Sequence, residues 1–259
     1  MPVLTVPLSW FWIIAMADFT IEIAGHSFLV HSLFESTREY CKRYLTQKEP
    51  ELRISPRQED LAFEQQMLEQ EAVEEGLRRR KFQDPFLERA SIQRAVAEFL
   101  FERDILMLHG STVAVDGRGY LFTAKCGTGK STHTRLWCQA FGTRAVMVND
   151  DKPFLRITES GVWVCGSPWS GKHGLDTNIM VPLAGICILE RGKENRIVPC
   201  DWNAALPMLL HQSYCPLDVG KRAAFEALVR RLAEHVPLWR MDCNKDMQAA
   251  LVAYDRMSK

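Results

Sequence analysis

The rhythm of apolar and polar positions changes along the chain, and the change falls near residue 105. Before it, Phe19-Thr20-Ile21-Glu22-Ile23 alternates with the two-residue period of a strand buried on one face. Gly25 marks a turn, Phe28-Leu29-Val30 continues as a second strand, and Glu35 to Leu45 suits a short helix. Pro50 and Pro56 bracket a connector. Residues 57 to 81 are charged and helix-compatible, interrupted by Gly76, with Arg78-Arg79-Arg80-Lys81 expected at the C-terminal end of a solvated helix face. Asp84-Pro85 reads as an N-cap with proline in the first helical position, opening a helix whose apolar face is Phe86, Leu87, Ala90, Val96, Phe99 and Leu100.

From Ile105 onward, short apolar runs alternate with glycine-containing turns. Ile105-Leu106-Met107-Leu108, Thr112-Val113-Ala114-Val115 and Tyr120-Leu121-Phe122-Thr123 are strand candidates, and Asp116-Gly117 between the last two predicts a hairpin. Residues 132 to 140 suit a helix and 144 to 148 a strand; 154 to 157 and 162 to 165 suit a second hairpin, and 184 to 189 another strand. Helices are predicted over 221 to 235 and 245 to 254. The domain reading is therefore an N-terminal α+β lobe over 16–104 and a sheet-based domain over 105–259.

Residues 1–15 stand apart. Leu8 to Met16 is apolar but too short to span a bilayer, and no basic segment precedes it. Met16-Ala17-Asp18 leads directly into the first strand pattern, so Met16 competes with Met1 as the start, and 1–15 would then be an upstream extension foreign to the fold. Composition narrows the function classes. The 32 basic and 32 acidic side chains balance, which gives no long-range field for nucleic acid. Eight cysteines are scattered singly without metal-ligand spacing, the pattern of reduced thiols in a cytoplasmic protein. Neither a membrane nor a nucleic-acid partner is expected, and a homo-oligomer is compatible with the sequence.

The chemistry concentrates in Ala124-Lys125-Cys126-Gly127-Thr128-Gly129-Lys130-Ser131-Thr132, between a predicted strand and a predicted helix. A phosphate needs backbone amides gathered around its oxygens, and small residues let the chain turn tightly enough to present them at a helix N-terminus. In this reading residues 124 to 132 bind ATP or another nucleoside triphosphate, Lys130 reaches its terminal phosphates, and the Ser131 hydroxyl ligates magnesium. Ala124 stands where the strict pattern has glycine, which weakens the turn if a left-handed backbone is required there. Magnesium also calls for carboxylates on a neighbouring strand, and Asp150-Asp151 ends one. Either aspartate serves as metal ligand and the other faces an acceptor, while a turn cap is the plain alternative. His109 ends another strand. Gly166 to His173 forms a polar loop in which Trp169 is expected as an apolar wall, and Lys172 and His173 as acceptor or anion contacts. The acceptor cleft would then lie between this loop and the 16–104 lobe.

Taken in order, His109-Gly110, Gly127-Thr128-Gly129-Lys130-Ser131 and Asp150-Asp151 resemble the catalytic domain of HPr kinase/phosphorylase, over roughly residues 105 to 190. The resemblance implies an α/β (or α+β) fold with a phosphoenolpyruvate carboxykinase-like P-loop core in a twisted mixed β-sheet. It implies a magnesium-dependent kinase acting on a hydroxyl of a protein serine or a small metabolite, with His109 beside the transferring group and Asp150 or Asp151 as base or metal ligand. The family's later protein-substrate signature is not evident, and the Pro-Trp-Ser-Gly-Lys loop stands in its place, so the acceptor is left open. A reading from another class is a nucleotide-responsive regulatory protein that binds without efficient transfer.

Overall fold

A computed structural model describes residues 16–74, 76 and 78–259, so the expected upstream extension over 1–15 lies outside the described residues. Contacts divide the chain into two units, one running up to Glu22 and resuming over His26–Ala95, the other taking Ile23–Gly25 and Val96–Lys259.

In the first unit, β1 (Ala17–Ile23) and β2 (His26–Ser32) are followed by the short helix α1 (Glu35–Tyr40), a single 3-10 turn, β3 (Leu52–Ile54) and α2 (Gln58–Glu74). The sheet order is β1-β2-β3, with β3 parallel to β2. The start of α3 (Asp84–Phe101) is tied in by the buried Glu88, whose carboxylate accepts from the Leu33 amide and the Thr37 hydroxyl. The basic run departs from its expected place: Arg78, Arg79, Arg80 and Lys81 follow α2 as exposed, non-helical chain. Arg80 stacks its guanidinium on Phe82 and gives its carbonyl to Gln65, local contacts that compete with another helical turn.

The second unit is an α/β structure on a curled mixed sheet. β4 (Ile105–Met107), β5 (Ser111–Val115), β6 (Arg118–Thr123), β7 (Ala145–Asn149), β8 (Phe154–Thr158), β9 (Gly161–Cys165) and β10 (Met180–Arg191) pair in the order β4-β8-β9-β10-β6-β5-β7. β11 (Arg196–Pro199) and β12 (Leu238–Cys243) extend the sheet from β10. β5 and β6 form the expected hairpin, turning through Asp116 and Gly117 with φ of 51° and 78°. β6 begins two residues earlier than its apolar run, and a Cβ on Gly119 would come within 2.5 Å of Val164, so only glycine allows that approach. β10 pairs antiparallel with β9 and then parallel with β6 and β12, which is what makes the sheet mixed.

Both faces of this sheet are covered, which explains runs that are apolar at successive positions. Val113, Val115, Tyr120, Phe122 and Leu189 pack with Trp137 of α4 (Lys130–Phe141) and with Ala249, Ala250 and Ala253 of α7 (Gln248–Met257). Ala114, Leu121, Ile186 and Ile188 pack with Ala205 and Leu209 of α5 (Trp202–Gln212) and with Phe225, Leu228 and Leu232 of α6 (Arg222–His235). Trp137 anchors the first layer, its ring 4.8 Å from Tyr120 and its indole donating to His133 at 3.1 Å. Helix α4 is thereby fixed to the strand that precedes it. Among the described residues no helix is long and apolar enough to cross a membrane.

Candidate functional site

The loop over 124–129 connects β6 to α4, as the strand-loop-helix pattern requires. Gly127 and Gly129 hold φ of 72° and 124°, where a side chain would be strained although nothing lies within 4 Å of either missing Cβ. The glycines answer a backbone demand and leave open space above the loop. Ala124 is fully buried and does not have a left-handed backbone, so alanine in this first position costs the turn nothing. The Thr128 amide closes a turn onto the Lys125 carbonyl at 3.2 Å, and Lys130 Nζ folds back to the Ala124 carbonyl at 3.1 Å. Arg191, at the end of β10, donates to the Gly127 carbonyl from outside. Lys125 and Cys126 are exposed, while Thr128, Lys130, Ser131 and Thr132 are half-buried around the loop mouth.

Helix α4 begins at Gly129 without a side-chain cap and with no acid in its first turn. Its first amides are therefore neither occupied by a capping oxygen nor neutralised by a carboxylate, the state an anion site needs. By contrast, Asp201 caps α5 through the Asn203 amide at 2.9 Å.

The two aspartates diverge. Asp150 turns inward, nearly buried, and accepts from Ser111 Oγ at 2.6 Å; Ser111 in turn meets Thr134 Oγ1 of α4 at 2.7 Å. Asp151 turns the other way and brings Oδ1 to 3.2 Å from His109 Nε2. The divergence is imposed by Asn149, which is fully buried. Its Oδ1 accepts from the Asp151 and Lys152 amides at 2.8 and 2.6 Å, and its Nδ2 donates to the Ser167 carbonyl at 2.8 Å and Ser167 Oγ at 3.0 Å. This Asx-type turn fixes the backbone of both acids and ties it to the 166–173 loop.

Electrostatics join Asp151 and His109 to the 124–132 loop. Burial pushes the His109 imidazole down to about 2, and the charges of Lys152, Lys130 and His211 act in the same direction. Burial raises the Asp151 carboxyl above its ordinary value, against the opposing pull of Lys152 and Lys130, while Asp150 adds to the rise. Burial thus favours the uncharged form of both His109 and Asp151. Lys130, the first residue of α4, lies within electrostatic reach of both.

The remaining sequence-derived residues divide. Trp169 is only 6% exposed and packs edge-on against Phe154, with ring centroids 6.3 Å apart. It anchors the loop from beneath and does not form the apolar wall expected from sequence; a large aromatic beside Pro168 gains more from burial than from lining a polar mouth. Lys172 and His173 are exposed on the turn Gly171–His173, and a Cβ on Gly171 would stand 3.3 Å from that of Asp151. The sequence does not single out Ser111, Thr134 and Arg191, and it marks Asn149 only as part of the turn-cap alternative at the strand exit. Only Asn149 carried a usable signal, because asparagine before two acids at a strand exit is the composition of an Asx turn.

The 124–132 segment is linked to His109 and Asp151 by the charge of Lys130, and the helix that follows it is linked to Asp150 through Ser111 and Thr134. Among the described residues no three His, Cys, Asp or Glu side chains gather into a metal site. The Asp150 carboxylate already accepts from Ser111, and Ser131 stands half-buried at the start of α4.

No family model matches the chain, and no curated protein matches it either. Among solved structures, the HPr(Ser) kinase/phosphatase from Coxiella burnetii aligns at 14% identity over 48% of this chain and 93% of that one, with a TM-score of 0.27. The likeness is weak and partial.

Proposed function

We propose that the chain is a magnesium-dependent kinase that transfers the terminal phosphoryl group of ATP, or of another nucleoside triphosphate, to a hydroxyl acceptor. One observation carries the reading: an uncapped, glycine-built loop and helix N-terminus share the field of Lys130 with a His109–Asp151 pair whose carboxylate is made more basic by burial.

In this reading the amides around Gly127 and Gly129 and the start of α4 hold the phosphate chain, and Lys130 leaves the Ala124 carbonyl for the terminal phosphates. Ser131 and Asp150 would hold magnesium, Asp150 directly or through water, since its Oδ1 is already engaged by Ser111. Magnesium, when bound, neutralises charge on the terminal phosphates and aligns them. Asp151 accepts the acceptor's hydroxyl proton as the oxygen forms its bond to phosphorus, and the bond to the bridging oxygen breaks to release the diphosphate. His109 orients Asp151 through Nε2 and, being neutral, does not quench its charge.

Lys130→Ala in the full chain tests the reading. Loss of nucleotide binding and of label transfer from γ-labelled ATP, with circular dichroism unchanged, is expected; unchanged turnover sinks the assignment. Tight nucleotide binding by the wild-type chain without transfer to any acceptor would make it a regulatory binding protein instead.

A further inference from the structure

Strand order places a charged group at the 124–129 loop on the side away from the aspartates. β6 leads into that loop; β5 and β7, which carry Ser111 and lead to Asp150, lie on one side of it, and β10 lies on the other. β10 runs parallel to β6, with Ile188 opposite Thr123, so both strands end at the same edge of the sheet. Arg191 closes β10 there and donates from Nη2 to the Gly127 carbonyl at 2.5 Å. Three strand spacings separate β10 from β7, about 14 Å along the sheet, so Arg191 and the aspartates stand on opposite sides of β6. Arg191 is exposed, and among the described residues it holds no carboxylate, whereas Arg144, Arg231 and Arg240 each do.

A guanidinium presents a planar fork of N–H donors, and one backbone carbonyl leaves most of them unused. Phosphate oxygens meet that fork in pairs and carry the opposite charge, so they are the better partner. The space beside Gly127 is open, since no atom lies within 4 Å of its missing Cβ. We infer that Arg191 is a catalytic residue of the nucleotide site, leaving the Gly127 carbonyl to hold the phosphates that stay with the nucleoside while the terminal group moves to the acceptor. The inference rests on the kinase reading and adds the leaving-group side of the same site. A phosphate chain with its terminal group toward Asp151 runs its remaining groups across the loop toward β10. As the acceptor oxygen bonds to phosphorus, the bond to the bridging oxygen breaks and its electron pair stays on the diphosphate, while the acceptor's proton goes to Asp151. A positive charge beside the diphosphate is then worth more in the transition state than with bound ATP.

Three variants of the full chain separate this role from a latch on the loop. Arg191→Gln keeps an N–H for the Gly127 carbonyl and loses the charge, Arg191→Lys keeps the charge and loses the fork, and Arg191→Ala loses both. Calorimetry with magnesium measures ATP and ADP affinity, and release of labelled phosphate from γ-labelled ATP measures transfer with water as the acceptor. ADP and ATP affinity should both fall about tenfold in R191Q and R191A, the worth of one hydrogen-bonded charge pair. kcat should fall about a hundredfold in the same two variants and recover in part in R191K, with circular dichroism unchanged in all three. Wild-type ADP affinity or wild-type kcat in R191Q makes Arg191 a latch and overturns the inference. So does a loss of ATP affinity with ADP affinity intact, which would put the guanidinium on the transferred group. In each of those cases the kinase reading stands as long as Lys130→Ala still abolishes transfer. A wild-type chain that transfers to nothing, water included, removes both.

Discussion

Asn149→Ala removes the amide that holds the aspartates apart, and its cost can be counted from the structure. Five hydrogen bonds involve that side chain, with the Ser167 carbonyl and hydroxyl, the Trp169 carbonyl, and the Asp151 and Lys152 amides. Not all partners are orphaned by its loss. The Lys152 amide still donates to the Trp169 carbonyl at 3.1 Å, and Ser167 Oγ still donates to the Lys152 carbonyl at 2.7 Å. That leaves the Asp151 amide and the Ser167 carbonyl without a partner. At about 1 to 3 kcal/mol for each buried polar group left unpaired, less what an entering water returns, the expected loss is about 2 to 4 kcal/mol. Urea unfolding followed by circular dichroism measures it as a lower midpoint at constant slope. Ser167→Ala, which deletes only a hydroxyl, should cost about 1 kcal/mol. Asn149→Asp should also destabilise, since it turns a carboxylate oxygen toward two carbonyls. Transfer activity of N149A should fall further than its nucleotide affinity, because the turn positions the acids and not the phosphate loop. A midpoint shift equivalent to less than about 1 kcal/mol, or equal losses of affinity and turnover, would refute the counting.

Other outcomes follow from the same geometry. Gly129→Ala should weaken nucleotide binding more than Gly127→Ala, because φ of 124° is less accessible to alanine than 72°; both missing Cβ positions are open, so titration calorimetry should rank them by backbone strain alone. Lys152→Gln removes a charge that lowers Asp151 and His109, so the acid limb of kcat/KM should move to higher pH; an unmoved or lowered limb would exclude Asp151 as the base. Burial holds His133 down at about 4, so the folded chain resists its protonation, and the stability this gives the neutral form is lost as pH falls from about 6.5 toward 4. A His133→Gln variant should show a flatter decline in thermal midpoint across that window.

Much of the second unit could be read from the sequence because its strands are short, apolar and separated by turns with a specific backbone need. Asp116-Gly117 marked its hairpin, and the 124–132 segment marked the junction of β6 with α4. β11, β12 and the bounds of α5 were not legible. Arg196–Pro199 and Leu238–Cys243 interleave charged with apolar residues and gain their strand conformation by pairing, while α5 carries Pro207 inside it, a residue that argues locally against a helix. In the site, residue types were readable and directions were not. Nothing in Asp150-Asp151 says which acid turns toward Ser111 and which toward His109, because that follows from a buried asparagine bonded across 18 residues to Ser167. The burial of Trp169 was hidden for the same reason.

The hairpins of the second unit also give its sheet two rims, one beside Asp150 and Asp151 and one at the turns. Ser111 and Thr112 sit opposite Phe122 and Asn149 at one end of β5, while at the other Val115 meets Arg118 and Ala145, and the chain reverses through Asp116-Gly117. The β8–β9 pair is built alike, with Phe154 facing Cys165 toward the acid pair and Thr158 facing Gly161 at the far turn. Chain can therefore be added at Glu159-Ser160, both exposed, without lengthening any path between Lys130, His109 and Asp151. The fold can take on new length, a fused partner or a permuted terminus at that rim while Lys130, His109 and Asp151 stay in register.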